Sequence, residues 1–176
     1  MPGGRRNERR PVNLRLAGPF TLYGGAFALA ALVADQASKL AVLHGVDFGP
    51  DGIVNAAPFL DIVWAWNTGI SYGLFSLGAE GWWVLGGLKV AAALLFWLWL
   101  ARIDNRLEAA ALGLLIGGAL GNAIDRAAYG AVFDFISLHA FGFYWYVFNL
   151  SDVAIVAGVG VLLYASFFGG AAKSPP

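Results

Sequence analysis

Two short stretches carry most of the chemistry this sequence can offer. "NAID" (Asn122–Asp125) and "NLSD" (Asn149–Asp152) both read Asn-x-x-Asp, and Arg126 follows the first directly. On a helix, residues three apart are neighbours, so each amide is predicted beside its own aspartate, holding its rotamer. Asp35 and Lys39, in "DQASK", stand at i,i+4, which reads as a mutually neutralising structural pair. Two carboxylates close together at lowered dielectric do not both ionise easily, so such a pair shares a proton near neutral pH. One member can then take a proton from water while the other donates to a carbonyl oxygen or leaving amine, as in aspartic proteolysis. A proton-coupled transporter or a buried structural contact would use the same residues, and spacing alone leaves these readings level.

Other chemistries find less support. There are no cysteines, which removes disulfides, thiol catalysis and cysteine metal sites. His44 and His139 have no ligand spacing around them, so no metal is expected. Ser71, Ser76, Ser137 and Ser151 have no adjacent base that would mark a nucleophile. No glycine-rich phosphate loop follows a strand, no cofactor is implied, and no nucleic-acid surface is evident. Net charge is zero, so the total points to no acidic partner.

The elements that must position these residues are membrane spans. Of 176 residues 59% are hydrophobic and 12% charged, and the mean hydropathy is +0.68. Soluble domains are about half apolar and about a quarter charged. Phe20–Leu43, Trp82–Leu100, Leu107–Ile124 and Val153–Phe168 each approach the roughly 20 residues that cross the hydrocarbon core. The fourth is short unless it also uses Phe148–Asp152. Residues 1–19 hold Arg5, Arg6, Arg9, Arg10 and Arg15; the middle connection holds Arg102 and Arg106, and the tail Lys173. The loop Leu43–Gly81 has Asp47, Asp51, Asp61 and Glu80 and neither Lys nor Arg. The positive-inside rule therefore predicts a multi-pass protein with both termini cytoplasmic and two outer loops. An arginine-rich start before Phe20–Ala34 also resembles a secretory signal peptide. Its removal would leave an odd number of spans and put the C-terminus opposite to its lysine.

From the helix rise, Asp125 lies about 27 Å from Leu107 and Asp35 about 22 Å from Phe20. Asp152 opens the fourth span, so three carboxylates are expected at one outer depth. Gly113, Gly117 and Gly121 recur every four residues, a stripe that lets a neighbouring helix approach closely. Lys89 lies about 10 Å below Trp82; it is expected to lean to the outer interface, with no chemistry. Phe59–Trp66 and "AVFDFISLHAF" read as strands in the outer loops, and Tyr72–Trp82 as an interfacial segment. Residues 1–176 form one membrane domain, with tails at 1–19 and 169–176 expected to be disordered.

"DQASK", "WNTGISYGLF", "GNAIDR", "VFDFI" and "FNLSD" occur in this order, at these positions relative to four spans. Together they resemble the lipoprotein signal peptidases (signal peptidase II) of bacteria, over about Phe20 to Phe168. The resemblance implies a four-helix aspartyl protease of the bacterial inner membrane, with a small sheet formed by the outer loops. It implies a substrate: a prolipoprotein cut before its diacylglyceryl cysteine, at the outer leaflet. By motif it implies Asp125 and Asp152 as the catalytic pair, with Asn122, Arg126 and Asn149 around it. Asp35, Lys39, Asn67 and Gly69 match further motifs of the family. Membrane lipids are the other expected partner, and the chain is expected to act as a monomer. Ser151 stands where that family usually has Ala, and Ser38, Ser71 and Tyr72 are further small departures.

Overall fold

The computed structural model describes residues 15–69 and 81–168. In chain order these form α1 (Thr21–Gly45), β1 (Ile53–Ala57), β2 (Leu60–Asn67), α2 (Gly81–Leu100), α3 (Arg106–Tyr129), β3 (Val132–Ala140), β4 (Phe143–Tyr144) and α4 (Leu150–Phe168). All four expected spans are helices long and apolar enough to cross a membrane. The fourth reaches its length by starting at Leu150, so it takes in Asp152. Arg5, Arg6, Arg9, Arg10, Ser71, Tyr72, Ser76, Glu80 and Lys173 lie outside the described residues, as does most of the expected interfacial segment; its end, Gly81–Trp82, belongs to α2.

The bundle is built around α3. Of its apolar window 67% is buried, against 17%, 17% and 22% for α1, α2 and α4, so α3 is the inner helix. It packs on all three others. The other helices turn residues such as Leu22, Leu29, Leu95, Val156 and Phe167 outward, as a lipid-facing surface requires. Asn105 begins α3 by accepting the Leu107 N–H at 2.8 Å, with Glu108 in the first turn, where a negative charge suits the helix dipole. Gly130 ends it in the left-handed conformation at φ 73°, its N–H returning to the Arg126 carbonyl.

The glycine stripe meets α1. A side chain at Gly113 would run into the Gly24 carbonyl, one at Gly117 into that of Ala28, and one at Gly121 into Asp35. The expected close approach is thus realised, and it brings Asp35 against α3.

At the far end from Arg102 and Arg106, a four-stranded antiparallel sheet in the order β1-β2-β3-β4 sits over the helices. The expected strands are β2, which starts and ends one residue later than expected, and β3. β1 and the short β4 complete the sheet. A register shift between Ile62 and Ala65 bends β2 against β3. Phe133 is fully buried and its ring lies 5.4 Å from that of Trp64 and 5.2 Å from that of Trp66. Trp66 also meets Tyr129 at the end of α3, at 5.2 Å. These rings fix the sheet to the bundle.

Replacing Gly117 with Leu should push α1 away from α3 and cost about 1–3 kcal/mol by overpacking. Thermal unfolding in detergent should show a clear fall in Tm, and an unchanged Tm would refute the close packing.

Candidate functional site: two layers of buried carboxylates

The lower layer is ionic. Lys39 Nζ lies 2.7 Å from Asp35 Oδ2 and 2.8 Å from Asp125 Oδ2, with all three side chains at most 3% exposed. The i,i+4 pairing of Asp35 and Lys39 is therefore present, and Lys39 extends it from α1 to α3. Asp125 Oδ1 accepts from Gln36 Nε2 at 2.9 Å, and Asp125 Oδ2 also accepts the Phe133 N–H at 3.1 Å. Asp35 Oδ1 accepts the Ser151 N–H at 2.8 Å, where a carboxylate satisfies an open donor in the first turn of α4. The layer thus joins α1, α3, β3 and α4.

Above it lies a layer held by amides. Asn149 Oδ1 accepts the Asp152 N–H at 3.1 Å, and Asp152 Oδ2 accepts the Asn149 N–H at 3.2 Å. This is a capping box: Asn149 precedes the helix and Asp152 reaches back to it. Asn122 donates to Asp152 Oδ1 at 3.1 Å and accepts from Asn149 Nδ2 at 3.1 Å. The expectation that each amide stands beside its own motif's aspartate holds for Asn149 and is corrected for Asn122. Asn122 serves the aspartate of the other motif, because helix packing brings it to α4, while its Oδ1 also accepts from Lys39 Nζ on α1 at 3.3 Å.

Asn149 Nδ2 also donates to Asp134 Oδ1 at 2.6 Å, and Asn67 Nδ2 donates to Asp134 Oδ2 at 3.0 Å. Asn67 Oδ1 accepts the Gly69 N–H at 3.1 Å, and the Gly69 carbonyl accepts from Arg126 Nη2 at 3.1 Å. Burial pushes the Asp134 carboxyl up to about 6; the Asp152 charge adds to this, while the Asn67 and Asn149 hydrogen bonds and the Lys39 charge oppose it.

Asp134 and Asp152 open on the same space. A cavity of about 300 Å³ is lined by both, with Asn67, Asn122, Arg126 and Lys89 among its other walls. A second, of about 580 Å³, is lined by both together with Lys89, Tyr146 and Val156 on the side of α4. Asp125 lines neither cavity, and both its oxygens are engaged by Gln36, Lys39 and the Phe133 N–H. Of the two aspartates, Asp134 and not Asp125 is the one that shares a cavity with Asp152. Lys89, expected to carry no chemistry, faces that cavity as well.

Four apolar spans, a capping sheet and two carboxylates at a shared cavity define a polytopic membrane protein with an acid–amide site at one end of its bundle. A family model described as signal peptidase (SPase) II matches residues 27–168, and the chain belongs to that family. It is 54% identical over 154 residues to the lipoprotein signal peptidase of Nitrobacter hamburgensis, covering 84% of this chain and 94% of the relative. It is 55% identical over 142 residues to that of Methylobacterium radiotolerans, covering 79% and 83%. A bacterial membrane enzyme solved by the in meso method at 2.3 Å resolution superposes with a TM-score of 0.71 at 26% identity, covering 91% of this chain and 96% of that one.

Ser151 is fully buried against Gly121, and its hydroxyl has no hydrogen-bond partner among the described residues. A buried hydroxyl without a partner is destabilising. Ser151→Ala should keep activity and stabilise the fold by about 1 kcal/mol. Lost activity or a lowered Tm would show that the hydroxyl has a role.

Proposed function

We propose that this chain is an aspartic endopeptidase that removes signal peptides from prolipoproteins, with Asp134 and Asp152 as the reacting pair. The observation that carries the assignment is their convergence on one cavity, tied together by Asn149, which binds both. Membership of the signal peptidase II family supports the reaction, and the names of the relatives support the substrate.

Asp134 enters the reaction protonated and Asp152 ionised. Asp152 takes a proton from water as the water oxygen bonds to the scissile carbonyl carbon. Asp134 gives its proton to the carbonyl oxygen, producing a neutral diol. The diol then collapses: the carbon–nitrogen bond breaks, the departing nitrogen takes the proton held by Asp152, and Asp134 recovers a proton from a hydroxyl. The products are a carboxylic acid and an amine, and the pair returns to its starting state. Arg126, Asn122, Asn67 and Gly69 shape the cavity around the peptide. Asp125, Asp35 and Lys39 support it from below.

The substrate's cysteine carries diacylglycerol, and cleavage falls just before it. Its acyl chains remain in lipid while the peptide enters beside Ile155 and Val156, which border the larger cavity. Arg15, Arg102 and Arg106 lie at the end of the bundle away from the sheet. The positive-inside rule assigns that end to the cytoplasm, with both termini, and the site to the outer leaflet of the bacterial inner membrane. The chain is read as acting as a monomer.

Asp134→Asn and Asp152→Asn should each lower turnover about 10³-fold or more while the protein still accumulates in membranes. Processing of a lipidated prolipoprotein, followed by gel shift, reads this directly. Retained activity in Asp134→Asn would return the chemistry to Asp125. Because Asp134 must be protonated, kcat/KM should fall as pH rises through about 6. A free-enzyme profile flat from pH 5 to about 8 would exclude that role for Asp134.

A further inference from the structure

Lys89 is a cation that the proposed reaction does not use. It stands on α2, about 10 Å along the helix from Trp82, among Leu85, Leu88 and Val90. Its side chain lines both cavities, as do those of Asn67, Asp134 and Asp152. The ion pairs of the described residues join Lys39 to Asp35 and Asp125 and His139 to Asp61; Lys89 enters none and makes no hydrogen bond to a described residue. An unpaired ammonium among apolar residues in a membrane helix is costly, and such groups mark functional sites.

The charged and titratable groups around it come from every neighbouring element. Asp152 on α4 and Arg126 on α3 act on its charge. Asp134 on β3 shares both its cavities, and Tyr144 and Tyr146 before α4 share the larger one. Lys39 on α1 acts on Asp134 from the lower layer. Arg126 gives Nη2 to the Gly69 carbonyl, while its Nε and Nη1 have no partner among the described residues; Lys89 is the cation on a flexible stem. Its amine stays beyond ion-pairing distance of any described carboxylate, so it does not itself occupy the Asp134 or Asp152 oxygens. At lowered dielectric its charge still acts across that gap.

We infer that Lys89 is a positioning residue whose ammonium, across the cavity, holds the Asp134–Asp152 pair in its singly ionised state with the negative charge on Asp152. This rests on the assignment of that pair as the reacting carboxylates. Without the cation, each proton loss from the pair becomes harder, so both limbs of the rate profile move to higher pH.

The test is the pH dependence of kcat and KM, measured on a lipidated prolipoprotein with Lys89→Met, Lys89→Gln and Lys89→Arg. The Met and Gln variants should shift both limbs of the kcat profile upward by about one pH unit, with KM unchanged. The Arg variant should keep the wild-type profile. Met and Gln together guard against one of them failing to accumulate. A kcat profile that stays in place in the neutral variants overturns the inference, as does a raised KM with unchanged kcat, which would make Lys89 a substrate contact. Asp134→Asn separates the two levels: if it is inactive while the Lys89 profiles do not move, only the inference fails. If Asp134→Asn is active, the pair itself is wrong.

Discussion

The structure depends on one buried ammonium. Lys39 sits between Asp35 on its own helix and Asp125 on α3. A charge so far from water must be met by opposite charge and hydrogen bonds, or the state that buries it is not stable. That requirement can be met only where the backbones of α1 and α3 nearly touch, because aspartate is short. The stripe at Gly113, Gly117 and Gly121 supplies the approach, so glycine packing and ion pairing act as one device. Its reach extends further. Asp35 also holds the first turn of α4, and Asp125 holds the start of β3 through the Phe133 N–H. The two elements that carry Asp152 and Asp134 are thus each fixed by a carboxylate bound to the same lysine.

Four carboxylates at one end of the bundle divide by what surrounds them. Asp35 and Asp125 meet Lys39 and are spent on framework. Asp134 and Asp152 meet amides and backbone N–H groups, with no described cation in direct contact. Amides orient a carboxyl without compelling it to stay ionised, which is the condition for moving a proton. The transporter reading needs the opposite arrangement, a series of ionisable groups along the spans. Between Arg106 and Glu108 at one end and Asp125 and Arg126 at the other, α3 has only apolar residues, glycines and Asn122. The family to which the chain belongs lends that reading no support.

The spans are legible in the sequence because an apolar run of membrane length suits a bilayer crossing and little else. β2 and β3 are legible from β-branched and aromatic residues between turn signals. β1 is five residues with an asparagine at its centre and β4 is two residues, so their pairing comes from the neighbouring strand more than from their own composition. Asp134 is visible in "VFDFI", but there it reads only as part of a strand. The repeated Asn-x-x-Asp draws attention to Asp125 instead, although the two copies do different things: one lies within a helix, and the other caps one. The signal that points to Asp134 is its own placement. A carboxylate between Phe133 and Phe135 in an apolar strand is costly and asks for a reason. For Lys89 the sequence gives a reach toward the interface. Its direction is set by how α2 rotates against α3 and α4, which no local pattern records.

The proposed pair is also asymmetric in a way that suits its chemistry. Asp152 occupies the first turn of α4, where the open N–H groups and the helix dipole favour a negative charge. Asp134 lies on a strand, which offers no such dipole, and is almost wholly buried. Two aspartates of identical side chain thus stand in different surroundings, and burial raises the carboxyl of Asp134. The junction between the sheet and the end of the bundle brings both environments to one cavity.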